Sequence, residues 1–347
     1  MTALVDGLTC ANTEGKITNT AACTCGTAQC DTVTGLFCYS QECFHDCEKY
    51  IKSTSGEYVV PSPGCLMQNR IIVNGLLNIT GNTEQMPEIA ANFLRAGASD
   101  NTNHFTVPAG MKLYLSYLKL TYGAVDTESN GGSIHVINGD LNIIGIHFYG
   151  VGGVTNHASK GGALCILDST SLNPGLGPNV TIVGSTFEGF KSKISGGAIF
   201  AEGPNIKLFV SSSTFKNNVV MTGSGGAIAA EGGVQLDVVD TTFESNTATN
   251  GRGGGLYSLN SKIDLTFCLF KKNLARTASG GGGGFALIDT RSKPASDQPS
   301  LSTLAILKSS TFDSNTADQC VGAAIYASQE FDLTAPTVSL VGGDNSF

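Results

Sequence analysis

The sequence predicts an all-β protein: a right-handed parallel β-helix, a solenoid of about 28 residues per coil, carried behind an N-terminal disulfide-rich module. Three observations carry this reading. Two short motifs alternate at a nearly constant period, apolar and polar residues alternate between them, and eight cysteines crowd the first 65 residues. The expected division is a cysteine-rich module over 1–65 and a β-helix over 66–347 that continues beyond the chain end.

The first motif is a small-residue step ending in an apolar side chain: GGSI (131–134), GGAL (161–164), GGAI (196–199 and 225–228), GGGL (253–256), GGGF (282–285) and GAAI (322–325). The second is an aromatic slot, written FxxN at Phe215–Asn218, Phe243–Asn246, Phe270–Asn273 and Phe312–Asn315. Phe148 and Phe187 hold the slot without the Asn, Leu120 replaces the aromatic, and Phe347 opens one more copy. From Phe187 to Phe270 the aromatics recur after 28, 28 and 27 residues, a solenoid period.

Seven and five positions before each slot stand apolar pairs such as Leu141/Ile143, Leu208/Val210, Leu236/Val238 and Ile263/Leu265, separated by polar residues. This period of two is that of a strand with one buried face, and no helical period is sustained over the region. Short strands and glycine turns fit a coil of two or three strands. One coil cannot bury its apolar face alone, but stacking places like residues in columns about 4.8 Å apart.

The columns give each motif residue a role. The small residue before the apolar one (Ser133, Ala163, Ala198, Ala227, Gly255, Gly284, Ala324) is expected at a corner too sharp for a larger side chain, where Gly also supplies positive φ. Asn218, Asn246, Asn273 and Asn315 are expected to stack and bond the turn backbone, and Phe187, Phe215, Phe243, Phe270 and Phe312 to form the matching aromatic ladder. The next residues, Glu188, Lys216, Glu244, Lys271 and Asp313, alternate in sign and would line one outer edge, disfavouring register slips. Upstream, 70–80 and 111–120 read as strands of the first coils, and 84–95 as a short helix or loop. Eight slots from Leu120 to Phe347 imply a rod about 35–40 Å tall.

Cys10, Cys23, Cys25, Cys30, Cys38, Cys43, Cys47 and Cys65 are expected to form four disulfides, with connectivity open. Zinc would want C-x2-C knuckles or histidine partners, and only His45 is near. Such a module would act as a cap, a spacer or a protein-contact knob. Cys165, Cys268 and Cys320 read as buried, reduced packing residues, and the total of 11 cysteines leaves at least one thiol unpaired.

Several function classes are disfavoured. A net charge of −8 and a shortage of arginine leave no basic stripe for nucleic acid. No apolar run is long enough for a membrane-spanning helix. The opening residues lack a signal-peptide pattern, so with this cysteine usage a leader has been removed or the chain is part of a longer polypeptide. Many β-helices cleave acidic polysaccharides, which needs converging carboxylates, yet Asp-Asp, Gly-His-Gly and Arg-Ile-Lys signatures are missing. Glu202/Glu231 and Asp237/Asp264 share columns that could chelate a cation or face water; His135, His147 and His157 read as surface or stacking residues. No catalytic, cofactor or metal site is assigned. Insertions at 168–178 and 289–300 bulge on one side, either as a partner-binding face or as tolerated loops. Asn78 and Asn179 head N-x-T sequons, expected to be glycosylated in a eukaryotic secretory host.

GGAI followed by FxxN, over 110–347, resembles the repeats of chlamydial polymorphic outer-membrane proteins. It is similar also to large extracellular proteins of algae and other protists, to which the CxCGTxxCxxxxGxxC pattern from Cys23 to Cys38 is closer. The resemblance implies a right-handed β-helix displayed at a cell surface, wall or appendage. It also implies a non-catalytic structural or adhesive role toward other surface or matrix proteins or glycans, or self-assembly through the C-terminal coil. The slots lacking Asn, and the lack of a translocator barrel, depart from a bacterial autotransporter and favour a eukaryotic surface or flagellar-hair protein. The alternatives are a polysaccharide-active lyase or hydrolase and a filament or flagellar-hair subunit.

Overall fold

Successive strands lie parallel on their copies one coil away, at the spacing of the sequence period: Phe187 pairs with Phe215, Phe215 with Phe243 and Phe243 with Phe270. The structure, a computed structural model, describes residues 9–11, 23–25, 27–30, 37–39, 42–62, 64–67, 69–91, 103–121, 130–150, 158–169, 177–276, 281–288, 290, 305–318, 322–327 and 338–341.

Four stacked sheets form the walls of a parallel β-helix. Sheet 1 runs from Ile71–Ile72 to Ile325–Ala327, sheet 2 from Gly56–Val59 to Ala305–Lys308, sheet 3 from Phe37–Tyr39 to Val338–Val341, and sheet 4 from Ala158–Lys160 to Thr316–Asp318. A full coil therefore holds four short strands, not two or three. Sheet 4 escapes a reading by alternation because members such as Val219–Val220 and Thr247–Ala248 each bury one residue, leaving no period to see.

The core is a set of columns. Phe148, Phe187, Phe215, Phe243, Phe270 and Phe312 stack with centroids 4.5–5.2 Å apart and planes within 9°. Each such pair adds about 0.5–1.5 kcal/mol beyond the burial of its apolar area. The column continues downward through Leu120, Ile89 and Cys65, and upward to Leu340. Leu340, one 28-residue period on, is the strand partner of Phe312 on the next coil; the slot expected at Phe347 lies outside the described residues. From Cys65 to Leu340 the stack rises about 43 Å at the strand spacing.

Two polar columns flank the rings. Asn218 Nδ2 donates to Asn246 Oδ1 and to the Phe187 carbonyl, at 2.9 and 3.0 Å. Asn246, Asn273 and Asn315 repeat the bonding upward, and Phe190, in the Asn slot of its own coil, donates its N–H to Asn218 Oδ1. These residues are at most 1% exposed, so a buried polar row is fully bonded rather than orphaned. Ser185, Ser213, Thr241, Cys268 and Ser310 form the second column; each donates to the carbonyl two residues earlier. One residue before this column, the chain turns in the left-handed region at Ser212, Asp240, Phe267 and Ser309, with φ of 48–55°.

The glycine turn divides its demands among three positions. Positive φ belongs to the first glycine of each motif: Gly131, Gly161, Gly196, Gly225, Gly253, Gly282 and Gly322, at 62–81°. At the second, a Cβ on Gly197 would lie 1.9 Å from the Gly226 carbonyl oxygen on the next coil. At the third, a Cβ on Gly255 would lie 2.7 Å from the Gly284 carbonyl oxygen on the next coil and 2.9 Å from Cδ1 of Phe270, and one on Gly284 would lie 2.7 Å from both the Ala324 carbonyl oxygen and Cδ1 of Phe312. The neighbouring coil and the aromatic ring together keep that position small.

At the lower end the cysteines pair as Cys10–Cys23, Cys25–Cys38, Cys30–Cys43 and Cys47–Cys65. The hairpin of Phe37–Tyr39 with Glu42–Asp46 ends sheet 3 with an antiparallel pair, and His45 and Asp46 pair in parallel with Cys65 and Leu66. Coil stacking thus crosses position 65, because Gly56–Val59 and Gly64–Met67 already pair with strands of the next coil. Among the described residues of segment 84–95, which end at 91, there is no helix: Glu88–Ala91 is a strand of sheet 3, its Ile89 filling the aromatic column.

Candidate functional site: the outer faces of the stack

Alternation along each strand sends every second side chain outward, and the four faces differ in what they present. From Leu164–Leu167 to Phe285–Ile288, sheet 1 is buried on both sides over most of its length. Its outward column of Cys165, Phe200, Ala229, Tyr257 and Ala286 forms a satellite core, large and small residues alternating so that each ring covers an alanine. The glycine turns close over it: a Cβ on Gly225 or Gly282 would meet the Cβ of Ala229 or Ala286 at 2.8 and 2.9 Å. Lys160 Nζ sits 4.2 Å from the Phe200 ring centroid and 3.0 Å from Glu202 Oε2. This column went unnoticed in the sequence because its members share size alternation, not identity.

Glu202 and Glu231 are in register on adjacent coils at the rim of this satellite core. Burial pushes the Glu231 carboxyl up, partly offset by the Ser195 hydroxyl, which donates to Oε1 at 2.9 Å. Both carboxylates therefore have partners within the protein. Asp237 and Asp264 are likewise paired on the outer face of sheet 2, with Gln235 Nε2 donating to Asp237 and Lys308 Nζ 3.7 Å from Asp264. Among the described residues, no three His, Cys, Asp or Glu side chains gather where one metal ion could sit.

The buried thiols have raised pKa values: desolvation lifts Cys165 far above the usual range and Cys268 to about 12. Neither is a nucleophile at neutral pH. Cys320 and His157 lie outside the described residues. His135 faces outward in the column below Cys165, and burial lowers its pKa, with the Arg70 charge adding to the effect. For His147, burial outweighs the Glu188 carboxylate 3.5 Å away, and the pKa falls. His104 lies at the small-residue position of its coil, wholly buried, and desolvation holds it down to about 4.

Sheet 3 presents the charged column. Lys216 Nζ is 3.0 Å from Glu188, and Lys271 Nζ is 3.8 Å from Glu244. At these exposures each pair is worth a few tenths of a kcal/mol, so the alternation tunes register more than stability. Sheet 2 is the open face. Its middle outward column reads Asn78, Tyr114, Asn142, Thr181, Phe209, Asp237 and Asp264, and Tyr114 and Phe209 are both exposed.

The long insertions both leave from the corner between sheets 1 and 2, and their first residues are pinned alike. Ser169 N–H donates to Asn138 Oδ1 at 2.9 Å and Thr290 N–H to Asn260 Oδ1 at 2.8 Å. Asn138 and Asn260 each sit one coil below in the left-handed region, at φ of 59° and 54°. The rest of both insertions, 170–176 and 291–304, is outside the described residues.

The family model described as Chlamydia polymorphic membrane protein (Chlamydia_PMP) repeat matches residues 212–231 and 240–259. Each match runs from the left-handed corner through the aromatic rung and glycine turn into sheet 1 and leaves out the sheet 2 strand, so the matched repeat spans about three sides of a coil. Comparison with curated proteins and with solved structures finds no match.

Proposed function

We propose that this chain is a non-catalytic, extracellular, surface-displayed scaffold with an adhesive or structural role, its coil stack presenting contacts to other surface or matrix proteins or to glycans. The observation that carries this reading is the division between inside and outside. The repeated motif residues all point inward, the Phe and Asn columns being at most 1% exposed. At the same rungs the open face changes chemistry from coil to coil, through Tyr114, Asn142, Thr181, Phe209 and Asp237. A constant interior with a variable exterior is the form of a display scaffold, in which loops and outward columns determine recognition. The disulfide cap and the repeat match support an oxidising, surface setting.

The disulfide-bonded chain, immobilised and exposed to panels of extracellular glycans and matrix proteins, should bind at least one class saturably while leaving it chemically unchanged. New reducing ends or unsaturated products from pectin, alginate or sulfated glycans would replace this reading with a polysaccharide-cleaving one.

A further inference from the structure

The lower half of the sheet 2 face holds apolar groups in water: Val59, Leu76, Tyr114 and Ile144 are 37–70% exposed. Glu57, Lys112 and Ser116 lie between them, so they form no single patch but are set around one register pair on this face. Asn78 stands among them. It belongs to Asn78-Ile79-Thr80, and alternation buries Ile79 in the core while Asn78 and Thr80 share the outer face. Its register partner on the next coil is Tyr114. One strand spacing of about 4.8 Å therefore separates their backbones, with both side chains on the outer face. The second sequon differs: the backbone N–H and Nδ2 of Asn179 donate to Asp140 Oδ1 at 3.1 and 3.3 Å, so that amide is already engaged.

We propose that Asn78 is an N-glycan acceptor and that the first sugar of its glycan packs against Tyr114 on the lower half of sheet 2. The inference rests on the extracellular reading above, since the modification belongs to a secretory pathway. In the transfer, Asn78 Nδ2 forms a bond to the anomeric carbon of a lipid-pyrophosphate-linked oligosaccharide supplied with its transferase by the host. The carbon–oxygen bond to pyrophosphate breaks, the lipid pyrophosphate leaves, and the amide proton passes to the transferase's base. The C–H face of the bound sugar then meets the ring, an apolar body with a polar rim on each side, as aromatic side chains accommodate. The upper half of the face, from Phe209 to Asp264, stays open for the contacts of the scaffold.

The full chain, secreted from a eukaryotic host behind a fused leader, tests this through intact mass before and after glycosidase treatment, with thermal melts of Asn78→Gln and Tyr114→Ser. One glycan mass should vanish in Asn78→Gln. That substitution should lower the melting temperature by about 2 °C with Tyr114 present and by under about 1 °C in the Tyr114→Ser background. A secreted, disulfide-bonded chain bare at Asn78 would overturn the inference and leave the extracellular reading standing. A chain retained in the cell with unpaired cysteines would overturn both. A glycan whose loss lowers stability equally in both backgrounds would overturn the packing on Tyr114. Concentration-dependent dimerisation of the bare chain, abolished by Tyr114→Ser, would assign the face to a second copy instead.

Discussion

The coils between Phe187 and Asn315 and those between Ile71 and Thr121 solve one packing problem with different residues. In the upper region a phenylalanine on sheet 3 faces alanine or glycine at the turn, and a bonded asparagine column closes the adjacent corner. In the lower region Leu120 and Ile89 hold the aromatic rungs, and the small position is taken by His104, whose Nε2 donates to the Ile89 carbonyl at 3.1 Å. The lesson is that volume is matched across each coil rather than within each column: a large side chain on one wall requires a small one opposite, in either order. A disulfide, Cys47–Cys65, stands at the foot of the lower region.

The largest break in this comparison comes from the aromatic ladder. Phe243→Ala removes a ring stacked on both sides and should cost about 3–5 kcal/mol in chemical denaturation, against about 2–4 kcal/mol for Leu120→Ala, whose neighbours have fewer ring faces to lose. Asn246→Ala takes the Asn246 Oδ1 acceptor from the Asn218 backbone N–H and Nδ2 and a donor from the Phe215 carbonyl within the core, and a loss of about 3 kcal/mol is expected by the same measurement.

His104 gives the lower coils a pH dependence opposite in sign to that of the half-buried Glu231 carboxyl in the upper coils. Its pKa is about 4 in the fold against the ordinary histidine value of 6.5, so the folded state favours the neutral ring. The associated stability is complete above pH 6.5 and is lost as the pH falls from 6.5 through 4, by roughly 3 kcal/mol. His135 and His147, also lowered by burial, act in the same direction, so the diagnostic quantity is the difference between the wild type and His104→Ala. Pairing His104→Ala with Leu120→Phe should flatten that part of the pH profile and recover stability at neutral pH, since it installs the upper-coil solution in the lower coil.

Smaller effects sharpen the corner columns. Phe267 holds φ of 55° at 62% exposure, a backbone region that a bulky side chain disfavours. Phe267→Asn should raise stability by about 1 kcal/mol, seen as a higher melting temperature. Cys268→Ser places a hydroxyl in a hydroxyl column and should change stability by less than about 0.5 kcal/mol, whereas Cys165→Ser puts one into an apolar satellite core and should cost about 1–3 kcal/mol.

Much of the fold was legible because inward positions repeat by identity. The Phe and Asn columns, the alternating charges after the aromatic and the sheet 2 strands all stand where spacing put them. What stayed hidden lacked either a period or a recognisable residue type. Sheet 4 is too short to alternate, the sheet 1 outer column varies from Phe200 to Ala229 to Tyr257, and the strand position above Phe312 falls to Leu340, which is not aromatic. The open face was equally unreadable, since exposure of Tyr114 and Phe209 depends on which corners fold back over neighbouring sheets.

The chain by itself determined the columns, because in a solenoid each residue's main neighbours are its own copies a fixed distance along the sequence, and periodicity records those contacts directly. Only the tertiary structure decided the cysteine partners, the meeting of His104 with Ile89, the three separate reasons for the glycine turn, and the sheet that lies bare. Those are contacts across the coil, between residues whose sequence separation carries no repeat, and packing in three dimensions is what brings them together.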